Sequence, residues 1–202
     1  GRDATPVQSV IWREEEGVYG KLSGTFIIGQ GMCGPTLMAY ASDEHKARYL
    51  PPLASGEEVW CQLFSEPHGG SDLAGLRTRA EPDGDDWLIN GQKIWTSYAD
   101  RADWIFALVR SDREAPKHKG ISFVLMDMQS KGITTRPIRL ISGASPFCET
   151  FFDDVKVPKD GTIVGEMNRG WDVAKYLLTH EREMIGGGGG GLLAGSTLSD
   201  LM

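Results

Sequence analysis

Hydrophobic and polar positions along the chain change period twice, dividing it into a helical start, a stranded middle and a helical end. Val7, Val10 and Ile11 recur at helical spacing ahead of Glu14, Glu15 and Glu16, which predicts a short helix with an acidic end, broken at Gly17 and Gly20. Ile27 to Tyr40 is apolar but studded with glycine, and Pro35 suits the first turn of a helix carrying Thr36 to Ala41. Asp43 reads as the N-cap of a helix over Glu44 to Leu50, closed by Pro51 and Pro52.

From Val59 the pattern becomes that of strands. Val59 to Phe64, Asp103 to Arg110 and Gly120 to Met128 are apolar runs, while Ile133 to Ile138 and Glu149 to Val157 are shorter or partly alternating. Trp87 to Gly91 ends in Asn90-Gly91, a dipeptide whose tolerance of positive φ marks a hairpin turn. Short strands with turn chemistry between them predict an antiparallel barrel or sandwich. Helical spacing returns over Gly170 to Ile185, where Trp171, Ala174, Leu178 and Ile185 share a face and Asp172, Thr179 and Glu183 point away. The glycines from Gly186 to Gly191 oppose a helix by about 1 kcal/mol each relative to alanine, so a break or a very close backbone approach is expected there. The fold class is therefore α+β: a helical segment over 1–58, a central antiparallel β-barrel or sandwich over 59–164, and the start of a C-terminal helical bundle over 165–202.

Composition narrows the functional classes. A net charge of −7 and a pI near 5.1 argue against nucleic acid or an anionic membrane as partner. Neither a membrane span nor a signal peptide is expected from the hydropathy pattern. Cys33, Cys61 and Cys148 are odd in number and lack disulfide or metal-ligand spacing, and His45, His68, His118 and His180 form no paired motif. An intracellular reducing compartment and no metal site are the expectations.

The densest chemistry lies in L-F-S-E-P-H-G-G-S-D-L-A-G, Leu63 to Gly75. Pro67, Gly69 and Gly70 take the chain out of a strand and leave Ser65, Ser71 and Asp72 on a tight turn whose N–H groups can face an anionic or carbonyl-rich ligand. Such a turn is also a common solvated loop. A second stretch, G-Q-K-I-W-T-S from Gly91 to Ser97, changes that balance. In this order and separation the pair resembles the acyl-CoA dehydrogenase family, whose S/T-E-P-x-x-G-S-D flavin loop precedes a K-x-W-[IT]-[ST] strand covering the flavin ring. His68 and Tyr98 depart from the residues common at their positions.

The resemblance implies FAD as cofactor, with flavin contacts at Gln62, Leu63, Phe64, Ser65, Ser71, Trp95, Thr96 and Ser97. It implies α,β-dehydrogenation of an acyl-CoA thioester in fatty-acid β-oxidation, with an electron-transfer flavoprotein or similar acceptor as redox partner. In a subset of the family the carboxylate base lies on the helix after the β-domain, immediately before an arginine, and Thr179-His180-Glu181-Arg182 matches that arrangement. Glu181 falls within about 40° of the centre of the apolar face. It is thus the candidate general base, with a helix-surface glutamate paired to Arg182 or Lys175 as the alternative. Arg182 and Ser71 are the candidate substrate-binding residues. A flavin monooxygenase or oxidase of the same fold, and a non-catalytic subunit retaining the β-domain, are the other functional readings.

Family members are longer, so the chain is expected to be an internal segment that lacks the N-terminal helices and most of the C-terminal helical domain. Alone it is expected to bind flavin weakly or not at all and to associate through an exposed helix face. The full-length protein is expected to be a homo- or hetero-oligomer of the bacterial cytoplasm or mitochondrial matrix.

Overall fold

Helix α1 spans Pro6–Glu16, and Thr5 and Gln8 cap it reciprocally. The Gln8 amide N–H donates to Thr5 Oγ1 at 3.3 Å and the Thr5 N–H donates to Gln8 Oε1 at 2.9 Å, the capping-box pattern. This computed structural model describes residues 4–16, 19 and 24–186, so the breaks expected at Gly17 and Gly20 and most of the glycine run lie outside the described residues. A π-helical turn, Gly29–Cys33, leads directly into α2, Gly34–Tyr40, with Pro35 in its first turn as expected. Gly29 is required there because a Cβ would sit 3.1 Å from the Cβ of Trp60.

Helix α3, Asp43–Ser55, differs from expectation at both ends. The cap is Ser42 rather than Asp43: Ser42 accepts from the His45 N–H at 3.1 Å, while Asp43 lies inside the first turn, where its charge suits the helix dipole. Pro51 and Pro52 do not end the helix. The backbone bonds they remove are offset by the burial of Tyr49 and Leu53 on either side, and the chain stops only at Gly56, in the left-handed region at φ 77°.

The strands are β1 (Trp60–Leu63), β2 (Arg79–Asp83), β3 (Asp86–Ser97), β4 (Trp104–Arg110), β5 (Ile121–Asp127), β6 (Ile133–Ile138) and β7 (Phe147–Pro158). They form one sheet in the order β1-β4-β2-β3-β7-β6, with β5 also on β4. Most pairings are antiparallel, but β1 runs parallel to β4, and β2 meets β4 in parallel through Arg79 and Arg110. Strand β4 is buried on both faces, which accounts for its unbroken apolar run. Ile105, Ala107 and Val109 face a core enclosed by the sheet, whereas Phe106 and Leu108 face a second core against the helices. The last helix, α4 (Gly170–Gly186), closes this second core with Val173, Ala174 and Leu177. Its buried stripe is thus centred on Val173 and Leu177, with Trp171 and Leu178 at the margin rather than the middle.

The hairpin turn expected at Asn90-Gly91 is not there. Both residues lie inside β3, and the β2–β3 turn is at Gly84 and Asp85. Asp83-Gly84 is a second hairpin dipeptide seven residues earlier, and Gly84 takes the positive φ, 59°, that the turn uses. Gly91 serves close approach instead: a Cβ there would sit 2.5 Å from Thr78 Oγ1. Asn90 exchanges two hydrogen bonds with Asp154, each 3.0 Å, across a register shift between β3 and β7.

One contact ties the two sequence motifs together. Glu66 and Gly69 exchange backbone hydrogen bonds of 3.1 and 3.0 Å, making a tight turn that aims the Glu66 carboxylate inward. Its Oε1 accepts from Lys93 Nζ and from the Thr78 N–H, both at 2.9 Å, and its Oε2 from the Arg77 N–H at 2.7 Å. Lys93 is wholly buried and also donates to the Phe64 carbonyl at 3.2 Å. Next to it, the Ile94 N–H donates to the Ser65 carbonyl at 3.0 Å. Burial alone would push the Glu66 carboxyl up, but the Lys93 ammonium and the bonds from Lys93, Thr78 and Arg77 outweigh it and hold the group below the usual carboxylate range. Burial draws the Lys93 ammonium below its ordinary range, opposed by Glu66.

Two outcomes follow. Gly91→Ala loses about 2 kcal/mol or more of unfolding free energy in urea, because Thr78 cannot move aside without breaking the sheet; a loss within about 0.5 kcal/mol would mean that β3 relaxes. Lys93→Met leaves the buried Glu66 carboxylate without its ammonium partner, with only the Arg77 and Thr78 amides and the His68 imidazole 3.3 Å from Oε2, and costs about 3–5 kcal/mol at neutral pH. Folded Glu66 takes up its proton at lower pH than in the unfolded chain, so wild-type stability falls as pH drops through and below the usual carboxylate range. Without Lys93 that loss shrinks, and the gap between variant and wild type narrows at about pH 4. A gap independent of pH would contradict the pairing.

Candidate active site

The tie between Lys93 and Glu66 delivers the backbone of β3 to the loop, and a bulge then turns it outward. Between Lys93 and Thr96 the register of β3 against β7 shifts, and Trp95 adopts φ 63°, a left-handed conformation that costs a non-glycine residue of order 1 kcal/mol or more. Its indole is 55% exposed although it stands among buried strand residues. Phe147 meets it edge-on at 6.2 Å. Tyr98, at φ 60°, completes the irregular stretch.

The outward turn of Trp95 opens a cleft of about 270 Å³ whose walls are mainly apolar. Ile28, just before the π-helical turn, Met32 within it, Phe64, Ile94 and Met184 form these walls, and Ser65, Ser97, Gln62 and Glu181 supply polar groups. A larger cleft of about 720 Å³ lies beyond Ser65, bounded by Gly70, Ser71 and Asp72 of the loop and by Leu178, Glu181 and Arg182 of α4. Gln62, Phe64, Ser65 and Glu181 line both clefts, so the two meet at these side chains.

The fold explains why Glu181 is there. Val173 and Leu177 are buried, and Glu181 continues their i, i+4, i+8 line one turn further, where the apolar stripe runs out into the clefts. Gln62 Nε2 donates to Glu181 Oε2 at 3.0 Å. The alternative of a surface pair with Lys175 is not what the structure has: Lys175 Nζ sits 2.9 Å from Asp172 Oδ1. Arg182 lines the larger cleft beside Ser71.

Of the residues singled out in the sequence, the structure brings Gln62, Phe64, Ser65, Trp95, Ser97 and Glu181 to the smaller cleft and Ser71 and Arg182 to the larger one. It does not bring the side chains of Leu63 and Thr96 to either. Leu63 is buried in the core enclosed by the sheet, and Thr96 is buried with its hydroxyl 3.5 Å from that of Thr150. Strand alternation is the reason, since both neighbour residues that face the clefts. The sequence reading passed over Glu66 and Lys93, although each lies within a quoted motif and their opposite charges were a signal. It also passed over Met32 and Met184, which carry none, and over a place in the site for His118 and Trp171, whose rings meet at a tilt, 5.0 Å apart, on the rim of the larger cleft.

Comparison with known proteins places these features. The family descriptions "Acyl-CoA dehydrogenase, N-terminal domain" and "Acyl-CoA dehydrogenase, middle domain" match residues 1–57 and 61–155. Acyl-CoA dehydrogenase FadE34 of Mycobacterium tuberculosis is 44% identical over 90% of this chain and 25% of its own length. The Tcur3481-Tcur3483 steroid ACAD structure is 43% identical with a TM-score of 0.71, over 75% of this chain and 39% of that one. The ChsE4-ChsE5 complex from Mycobacterium tuberculosis is 35% identical with a TM-score of 0.78, over 89% and 46%. The chain thus spans less than half the length of each of these relatives.

One expectation is corrected by the comparison. The chain does not lack the N-terminal helices: residues 1–57 match the N-terminal domain, and α1, α2 and α3 belong to it. Among the described residues the C-terminal region contributes the single helix α4. With the two domain matches, the shared fold and the clefts that meet at Glu181, the chain belongs to the acyl-CoA dehydrogenase family.

Proposed function

We propose that this protein works in the FAD-dependent α,β-dehydrogenation of an acyl-CoA thioester. The observation that carries the proposal is Trp95, a half-exposed indole held at positive φ over an apolar cleft that also receives Ser65 and Glu181. Such strain and exposure make sense where a flat ligand completes the packing. An isoalloxazine ring fits: it is flat with apolar faces and one polar edge, and the cleft offers aromatic and aliphatic walls with the hydroxyls of Ser65 and Ser97. Phe64, Ser65, Trp95, Ser97 and Gln62 would hold it, with main-chain groups of Leu63 and Thr96 beside them. Bound FAD supplies the two-electron acceptor for the β-hydrogen.

The protein's own part is proton transfer and orientation. Glu181, at the junction of the clefts, takes the α-proton as general base. Ile28, Met32 and Met184 keep water from the reacting carbons, and Ser71 and Arg182 hold the CoA-ester side in the larger cleft. The solved neighbour called a steroid ACAD and the 720 Å³ of that cleft make steroid-type acyl thioesters the first substrates to assay. Electrons leave to an electron-transfer flavoprotein or a similar acceptor.

Association with another subunit belongs to the same proposal. The ChsE4-ChsE5 structure is a complex, and α1 exposes Val7, Val10, Ile11 and Trp12. A reducing intracellular compartment suits Cys33, Cys61 and Cys148, which are free and whose thiols burial pushes up, away from reactivity. No helix among the described residues is long and apolar enough to cross a membrane.

In the full-length flavin-loaded protein, Glu181→Gln retains the yellow chromophore but loses about a hundredfold or more of the rate at which acyl-CoA bleaches it anaerobically. Bleaching at the wild-type rate would move the base elsewhere. Rapid reoxidation of the bleached wild type by air would favour an oxidase instead.

A further inference from the structure

Trp60, Gln62 and Phe64 alternate onto the face of β1 that packs against the helices. Trp60 and Phe64 are buried in that core, so an amide between them departs from the pattern that packing alone would select. Its hydrogen bond goes to Glu181, 119 residues further along the chain, at 3.0 Å. Among the described residues nothing nearer in sequence hydrogen-bonds the Glu181 carboxylate. The helix gives it a direction, but a glutamate keeps three rotatable side-chain bonds, and the clefts on both sides leave room for them to turn.

Strand β1, by contrast, is a rigid base. Its parallel pairing with β4 runs from Trp60↔Trp104 to Leu63↔Ala107, and the residues around Gln62 are buried. We infer that Gln62 is a positioning residue: by donating to Oε2 it holds the Glu181 carboxylate across the junction of the clefts and leaves Oε1 to receive the α-proton. The inference rests on the acyl-CoA dehydrogenase reading. In that step the α-carbon–hydrogen bond breaks, the proton goes to Oε1, and its electron pair forms the new double bond as the β-hydrogen departs with its pair to the bound acceptor. A neutral amide suits the role because it orients the carboxylate without the strong ion pair a lysine or arginine would form there, which would weaken the base. Lys175 is held by Asp172 instead, and Arg182, on the wall of the larger cleft, makes no ion pair with Glu181 among the described residues.

Gln62→Met, nearly the same size but without a donor, tests this in the flavin-loaded full-length protein. A hydrogen bond to a charged group accounts for about a ten- to hundredfold effect. Taken per bound flavin, the rate of flavin reduction by acyl-CoA is expected to fall by that factor with KM within about twofold, and the isotope effect of α-deuterated substrate is expected to rise. Gln62→Glu, which places a second carboxylate against Glu181, is expected to lose more. A readout without flavin accompanies these: Gln62→Met and Glu181→Met each lower the Tm of the flavin-free protein, and the double variant lowers it by less than their sum.

Weakened flavin binding with an unchanged reduction rate in Gln62→Met, or additive Tm losses, would overturn the inference and leave Gln62 a plain wall of the cleft. That result is distinct from failure of the underlying reading, which would show as undiminished reduction in Glu181→Gln.

Discussion

A buried ammonium and a buried carboxylate decide the geometry of this molecule. Each would be costly in the core alone; together, with the Arg77 and Thr78 amides and the Phe64 carbonyl, they form a closed set of hydrogen bonds. The pair joins a glycine-rich loop, which would otherwise be free to wander, to the middle of the longest stretch of paired strand in the fold. A loop positioned through a buried side chain can keep its outer backbone unpaired and still be held in place. That combination lets a loop bind a ligand.

Strain is then applied one residue further on. Ile94 is bonded to Ser65, so the bulge that follows has nowhere to relax except outward, and it presents the Trp95 indole beside the loop. The helices contribute the opposite wall. The π-helical turn brings Met32, and Ile28 just before it, to the cleft because Gly29 lets the turn lie directly on Trp60. Helix α4 brings Glu181 because its buried stripe happens to point along the same line. Strand, loop, turn and helix thus converge on one small volume from positions far apart in the chain.

Much of this was legible in the residues, and what was not had physical causes. Periodicity located β4 and β5 well because both are buried on two faces, and Pro35 marked the start of α2. It misplaced the hairpin because Asn90-Gly91 carries the same local preference as Asp83-Gly84, and only the Thr78 contact and the Asn90–Asp154 exchange separate them. It ended α3 early because two prolines outweigh, in any local reading, the tertiary burial that carries the helix through them. For the site, the two motifs hold Ser65, Trp95 and Ser71, whose side chains line the clefts. They also drew in Leu63 and Thr96, whose side chains strand alternation turns into the cores. The Gln62–Glu181 bond was beyond reach, since no pattern on β1 reports a partner on α4.

On the proposed function, the loop and the bulged strand close on one planar ring. A crystal structure of the flavin-loaded protein tests it most directly. Isoalloxazine density is expected against the Trp95 indole, bordered by Ser65 and Ser97, with the Lys93–Glu66 pair intact behind it. Density for the ring anywhere else on the protein, with Trp95 left in solvent, would contradict it.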